Sequence, residues 1–405
     1  MTRVPAERKL PLSGLRVLDF GHIVAGPYCA RLLADLGAEV VKVETATRQG
    51  RTGARRGGTR RADASGRTPH LAHINRNRRS IDLNLKTERG LAIARRLVDV
   101  ADVLVENFSS GVMDRLGLGY RELAASNPRL VYASMSSFGH TGPRAGWTGM
   151  NVTLQACSGL MLATGAEGDP PIGISNSWND YIGGLHAAVA ILGALDKRKA
   201  TGAGCFLDVS QFEGSVAMVG SLLLACAVTH APPARLGSRS LSAAPQGCYR
   251  CAGADQWCAI SVQSDAQWQA LVAELGDDAA PLRAPRLATL AGRLEQHDAI
   301  DRVLSAWTGA RAPADVERRL EQRGVPAAAM RRGNELADTA EWQRLLLTVE
   351  TTGMRVIGPP FAFRASPAVA AVAAPRMGAD GGAVLRDWLK LDDAAIAGLF
   401  PEIAA

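Results

Sequence analysis

Apolar positions in the first half of the chain fall into short runs separated by amphipathic stretches. Residues 15–20 (Leu-Arg-Val-Leu-Asp-Phe) read as a buried strand, and 40–43 as a second. Between them Pro27 suits the first turn of a helix running to Leu36, and Gly37 suits its stop. Residues 80–85 alternate with period two. Residues 88–98 have helical spacing, and 103–105 and 130–135 are again strand-like. Repeated strand–helix–strand units predict an α/β fold with a Rossmann-like parallel sheet covered by helices. Such sheets bind ligands beyond the C-terminal ends of their strands, which singles out the loops 21–26, 106–111 and 136–146. The first has Gly21 and Gly26 but not the GxGxxG spacing, so a nicotinamide-cofactor site is poorly supported.

Asp180 then opens an apolar-periodic helix through Ile182, Leu185, Val189, Leu192 and Leu195. A turn at 201–204 leads to a strand at 206–209 and a helix to Val228, and residues 231–233 look like a linker. Beyond Pro245 the pattern changes to short strands (247–250, 257–262) and helices (265–275, 293–307, 312–322), a smaller α+β domain. Residues 325–330 are expected to form a strand returning towards the first domain. The tail offers strand-like 354–357 and 361–363 and a helix near 385–390. The expected division is 1–230 for the large domain, 231–330 for the small one, and 331–405 as a return segment completing the large one.

Composition narrows the classes. With 405 residues, 47% apolar and 21% charged, the chain is globular and long enough for more than one core. No run approaches 18 apolar residues and the first five lack a leader's apolar stretch, so the expectation is a cytoplasmic protein with no membrane partner. Seven cysteines make no disulfide framework. Cys248 and Cys251 form a CxxC without a second pair, so the thiols read as core residues and no metal is expected.

Charge is concentrated in one place. Residues 48–79 hold ten arginines and one acid, Asp63, a local +9 in a chain of net +7. The stretch 48–67 reads as a solvated loop, whereas 75–79 (Asn-Arg-Asn-Arg-Arg), running into a strand, reads as a candidate anion site. Aromatics do not interleave with these arginines, so nucleic acid is not an expected partner. GxSxG, HExxH and P-loop motifs are missing, and the histidines are scattered. His22, in the first loop, is the one histidine placed for ligand contact. Asp180 is the carboxylate singled out. It reads either as a helix N-cap or as an ionised nucleophile for an activated acyl group, with Gly183 and Gly184 leaving room for a ligand.

Several stretches resemble the class III CoA-transferases, the family of formyl-CoA transferase and the carnitine CoA-transferases. They are residues 17–27, 33–44 (Leu-Ala-Asp-Leu-Gly-Ala-Glu-Val-Val-Lys-Val-Glu), 75–80, 105–108 (Val-Glu-Asn-Phe), 114–117 (Asp-Arg-Leu-Gly), 137–143, Asp180 with Gly184-Leu185, 208–210 and 374–378. The resemblance covers nearly the whole chain. It implies that Asp180 is the catalytic aspartate, forming first an aspartyl anhydride and then an aspartyl-CoA thioester. It also implies CoA contacts at His22, Val24, Ala25, Leu83, Asn84, Leu85, Lys86, Asn107, Phe108, Ser109 and Arg115, with Phe108 covering the adenine. CoA or acyl-CoA and a carboxylic acid are then substrates, no cofactor is tightly bound, and the protein is an interlaced homodimer. The chain departs from the family pattern at Cys205, in the acid-free segment 149–151, and in 237–247, which lacks a glycine run and argues against oxalate or formate. Trp147, Trp178 and Tyr181 hint at a larger acid. Two alternatives share parts of this reading. One is an α-methylacyl-CoA racemase, whose base would fall at Met150 and Asn151. The other is a non-enzymatic polyanion-binding protein using the arginines.

Overall fold

The computed structural model describes residues 9–45, 69–232, 234–337, 339–349, 351–363, 369 and 371–399. The Arg48–Arg67 stretch therefore lies outside the described residues. The chain divides into two compact units. The first comprises Met1–Leu160, Gly173–Ala225 and Arg344–Ala405, and the second Met161–Ile172 and Cys226–Gln343.

The first unit is built on a six-stranded parallel sheet: β1 (Arg16–Asp19), β2 (Glu39–Glu44), β3 (Arg79–Asp82), β4 (Val103–Glu106), β5 (Val131–Ser134) and β6 (Cys205–Asp208), in the order β3-β2-β1-β4-β5-β6. The order reverses between β1 and β4, where Leu18 pairs with Leu104. That is the switch point at which doubly wound sheets open a crevice. Strand side chains alternate between two cores. Leu18, Val41, Ile81, Leu104 and Tyr132 pack with Ile93, Leu97 and the C-terminal residues Leu385 and Trp388 on one face. Val17, Val40, Val103 and Val131 pack with Cys29, Leu33, Ala187 and Ile191 on the other. Both faces are covered, which is why the strands read as near-continuous apolar runs.

Four helices, α1 (Ala25–Asp35), α2 (Pro69–Ile74), α3 (Glu88–Asp99) and α4 (Val112–Arg115), follow the first four strands. Thr87 caps α3 through the Gly90 N–H. Two later helices, α5 (Trp178–Thr201) and α6 (Gln211–Met218), flank β6.

The second unit holds a three-stranded antiparallel sheet, β7 (Gln246–Arg250), β8 (Trp257–Ser261) and β9 (Ala327–Ala329). Its core joins Trp268, Leu304, Trp307 and Leu320. Three expectations are corrected. The strand near 325–330 pairs with β8 inside this sheet rather than returning to the first domain. The helix expected over 293–307 breaks at Gln296 into Leu290–Glu295 and His297–Gly309. Residues 361–363 form no strand; Leu346–Thr348 pairs instead with Arg355–Ile357. The thiols are also not uniformly core: Cys29, Cys251 and Cys258 are buried, but Cys248 is exposed.

Candidate active site

The first loop, residues 20–24, leaves β1 at the switch point. Ile23 adopts a left-handed backbone (φ 61°) and is exposed at the loop's tip. Gly21 and Gly26 close the loop on itself: a Cβ on Gly21 would lie 2.7 Å from the Gly26 Cα. Any larger residue at either position would force the loop open. Asn107, just past β4, clamps it from the facing strand. The His22 N–H donates to Asn107 Oδ1 (2.8 Å) and Asn107 Nδ2 donates to the His22 carbonyl (2.9 Å). The His22 and Phe108 rings lie 5.0 Å apart. Phe108 is buried and packs under the loop. Val24 and Ala25 are also buried, and present main chain at the start of α1.

Beneath this loop lies a charge network. Asp19 Oδ1 accepts the Gly21 N–H (2.7 Å), and its Oδ2 accepts Arg78 at 2.6 Å and Lys42 at 3.4 Å. Arg78 also donates to the carbonyls of Pro27 and Ile74, and Lys42 to that of Gly21 (2.6 Å). At the far end of α1, Asp35 accepts Arg76 (2.7 Å) and Asn77 (2.7 Å). Arg79 pairs with Glu39 and Asp387. The segment 75–79 is therefore not an anion site: its arginines are held by carboxylates, and their task is to tie β3 and α1 to the first loop. Sequence cannot separate the two readings, because the paired acids lie some 40 to 300 positions away.

Asp180 is the third residue of α5, and Ser177 holds the cap position, so the N-cap reading is corrected. Asn176 and Ser177 both adopt left-handed backbones (φ 64° and 54°), an unusual entry turn immediately before the carboxylate. Burial pushes the Asp180 carboxyl up to about 6, against the pull of its own backbone N–H. One turn later Gly184 sits so close to α1 that a Cβ would meet the Ala25 carbonyl oxygen at 2.8 Å. This contact brings the Asp180 end of α5 to the first loop. Tyr181 stands edge-on to Tyr28 (4.7 Å), and Asn179 is fully buried and donates to Ser215.

The remaining predicted residues gather at the same sheet edge. Leu83, Asn84, Leu85 and Lys86 form the turn after β3 rather than extending the strand. The Leu83 side chain belongs to the core, while Lys86 is exposed. Ser109 is exposed beyond β4, and the Arg115 guanidinium of α4 lies about the loop glycine Gly111, 3.1 Å from where a Cβ would stand. Two residues of this edge, Glu106 and His140, escape a reading of the sequence. An acid closing an otherwise apolar strand is the available signal for Glu106. Nothing local distinguishes His140 from the other scattered histidines. Met150 and Asn151, the racemase positions, offer no titratable base; Asn151 hydrogen-bonds Ile174 and Asn179. Among the described residues no group of three or more His, Cys, Asp or Glu is arranged to hold a metal ion, and no single helix is long and apolar enough to cross a membrane.

Comparison with known proteins identifies the family. The family model described as CoA-transferase family III matches residues 12–381. The chain is 36% identical over 367 residues to acetyl-CoA:oxalate CoA-transferase of Acetobacter aceti, covering 88% of this chain and 90% of the relative. It is 33% identical over 326 residues to succinyl-CoA–D-citramalate CoA-transferase of Chloroflexus aurantiacus, covering 80% of each. A crystal structure of a CaiB/BaiF family protein from Brucella suis superposes with a TM-score of 0.85 at 29% identity, covering 94% of this chain and all of that one. The chain belongs to CoA-transferase family III.

Proposed function

We propose that this enzyme moves CoA from an acyl-CoA donor to a carboxylic acid with Asp180 as the covalent carrier. The observation that carries the reading is the placement of a single, partly buried carboxylate on the helix whose Gly184 packs against the first loop. An Asp180 oxygen attacks the donor thioester carbonyl. The C–S bond breaks, leaving an aspartyl–acyl anhydride and CoA thiolate. The thiolate attacks the Asp180 carbonyl, expelling the donor acid as carboxylate and forming aspartyl-CoA thioester. The acceptor carboxylate attacks that thioester, giving a new anhydride and thiolate, and the thiolate takes the acceptor acyl group to regenerate Asp180. A raised carboxyl suits this cycle: above pH 6 it is ionised, and it is more basic than an ordinary aspartate and so a better nucleophile.

The loops 20–24, 83–86 and 107–109, with Arg115, form the proposed CoA site. Free main-chain N–H groups at the start of α1 and the nearby cations favour the coenzyme's phosphates. The two curated relatives above are named for dicarboxylates as acceptors, with acetyl or succinyl donors. A dicarboxylate acceptor is the class to test first, and exposed Trp178 beside Asp180 favours one larger than formate. We also place the working protein in a homodimer: Leu185, Val189 and Leu192 of α5, with Met218, Leu223 and Leu224, are exposed apolar side chains in one unit. Incubation with succinyl-CoA or acetyl-CoA and a dicarboxylate panel tests the activity. The reading requires a new acid thioester to appear in step with free donor acid; hydrolysis alone, with no acceptor thioester, contradicts it.

A further inference from the structure

A cleft of about 390 Å³ lies behind the 106–111 loop, lined by Glu106, Ser109, Asp114, Tyr132 and His140 among others. At its wall Glu106 is buried and closes β4. One carboxylate oxygen accepts the Phe108 N–H at 2.7 Å, and Ser134, its register partner on β5, favours the charged form of the carboxylate. Ser134 Oγ lies 2.7 Å from His140 Nε2, and His140 Nδ1 lies 3.1 Å from Ser110 Oγ. Glu106 thus holds the near end of the loop through the Phe108 N–H, and the Ser134–His140–Ser110 chain holds its far end.

Donor counting fixes the direction of the chain. A hydroxyl has one proton and a neutral imidazole has one N–H. With Glu106 ionised, its charge draws the Ser134 proton towards it, so His140 Nε2–H donates to Ser134 and Ser110 donates to Nδ1. With Glu106 protonated, every one of these bonds can reverse and remain made. The contact that suffers is Phe108 N–H to Glu106, because a bond to a carboxylate is about twice as strong as one to a neutral carboxyl.

We propose that Glu106 is a positioning residue for coenzyme binding: through the Phe108 N–H and the Ser134–His140–Ser110 chain, it holds residues 107–110 in the shape that receives CoA. The inference rests on the CoA site proposed above. Burial pushes the Glu106 carboxyl up to about 7, opposed by Ser134 and the Phe108 N–H and reinforced by Asp114 and Asp208. Asp208 also accepts the His140 backbone N–H (2.9 Å), Tyr132 faces the carboxylate from β5, and Arg121 lines the same cleft. Coenzyme affinity therefore falls as pH drops through neutrality.

The test is calorimetric titration of the full-length enzyme with CoA between pH 5.5 and 8.5, alongside steady-state kinetics. Wild type should show a break near pH 7 in affinity. The ligand's own phosphate, titrating near 6, appears equally in every variant. Glu106→Gln should bind CoA about tenfold more weakly at pH 8, lose the break near 7, and raise KM for the donor with kcat changed far less. Ser134→Ala keeps the carboxylate but removes the neighbouring hydroxyl that favours its charge, so its break should move to higher pH; this variant also serves if Glu106→Gln does not fold. Unchanged affinity and an unchanged break in Glu106→Gln, or an unmoved break in Ser134→Ala, would overturn the proposal. Wild-type protein that binds no CoA at any pH would instead overturn the CoA site itself.

Discussion

Asn107 and His22 exchange two hydrogen bonds across the switch point of the sheet, each using the side-chain amide of one and the main chain of the other. This reciprocal pair fixes the first loop against the loop after β4, so two stretches 85 positions apart present one surface. Asn107→Ala removes both bonds. At about 1 kcal/mol each, KM for the acyl-CoA donor should rise about 10- to 30-fold, with kcat at saturation much less affected. Steady-state kinetics on the purified variant checks the split.

Neighbouring glycines in α5 should respond differently. Gly184→Ala drives a methyl against the Ala25 carbonyl, a backbone atom 2.8 Å away, and should both destabilise the fold by about 1–3 kcal/mol and depress turnover. Gly183→Ala meets the Gln211 side chain, whose Cγ is also 2.8 Å away but, unlike a backbone carbonyl, can shift at the expense of the Gln211–Met135 hydrogen bond. Denaturant melts should show the smaller loss at Gly183, where the added methyl also gains helix propensity.

The Asp19–Arg78–Lys42 network is buried, and removing Arg78 takes away the shorter of the two ion pairs on Asp19, leaving Lys42 at 3.4 Å. Arg78→Met should cost about 3–5 kcal/mol. Urea unfolding of the variant should show the midpoint shift at unchanged slope, together with loss of CoA binding as the first loop loosens.

The pH dependence of turnover should follow Asp180. With its carboxyl near 6, kcat should rise with pH through 6 and level off above 7. Stability should move the opposite way: a carboxyl raised above its unfolded value favours the folded state when protonated, and that contribution is lost as pH rises through about 4 to 6. Asp180→Asn should therefore melt a few degrees above wild type at pH 8 and show little advantage at pH 4. Paired thermal melts at the two pH values check the sign.

Much of the sheet was legible because strands buried on both faces leave unbroken apolar runs, as at Val103-Leu104-Val105. Helix α5 misled. Its large apolar residues Leu185, Val189 and Leu192 suggest the buried face, yet they are exposed, and the buried face is Gly183, Gly184, Ala187, Ala188 and Ile191. Small residues permit close approach to α1, a requirement that hydrophobic periodicity does not encode. A carboxylate at a helix start was legible at Asp180. The roles of Arg76 and Arg78 were not, because a positive charge reads alike whether it awaits a ligand or already has a distant carboxylate.

The central claim is that Asp180 carries first an acyl group and then CoA, and covalent trapping tests it most directly. The enzyme is incubated with acyl-CoA in the absence of acceptor, quenched with borohydride or hydroxylamine, digested, and mapped by mass spectrometry. The account predicts modification at Asp180 in wild type and none in Asp180→Asn, which also fails to exchange CoA. Exchange that proceeds with Asp180 unmodified, or that survives in Asp180→Asn, would contradict it.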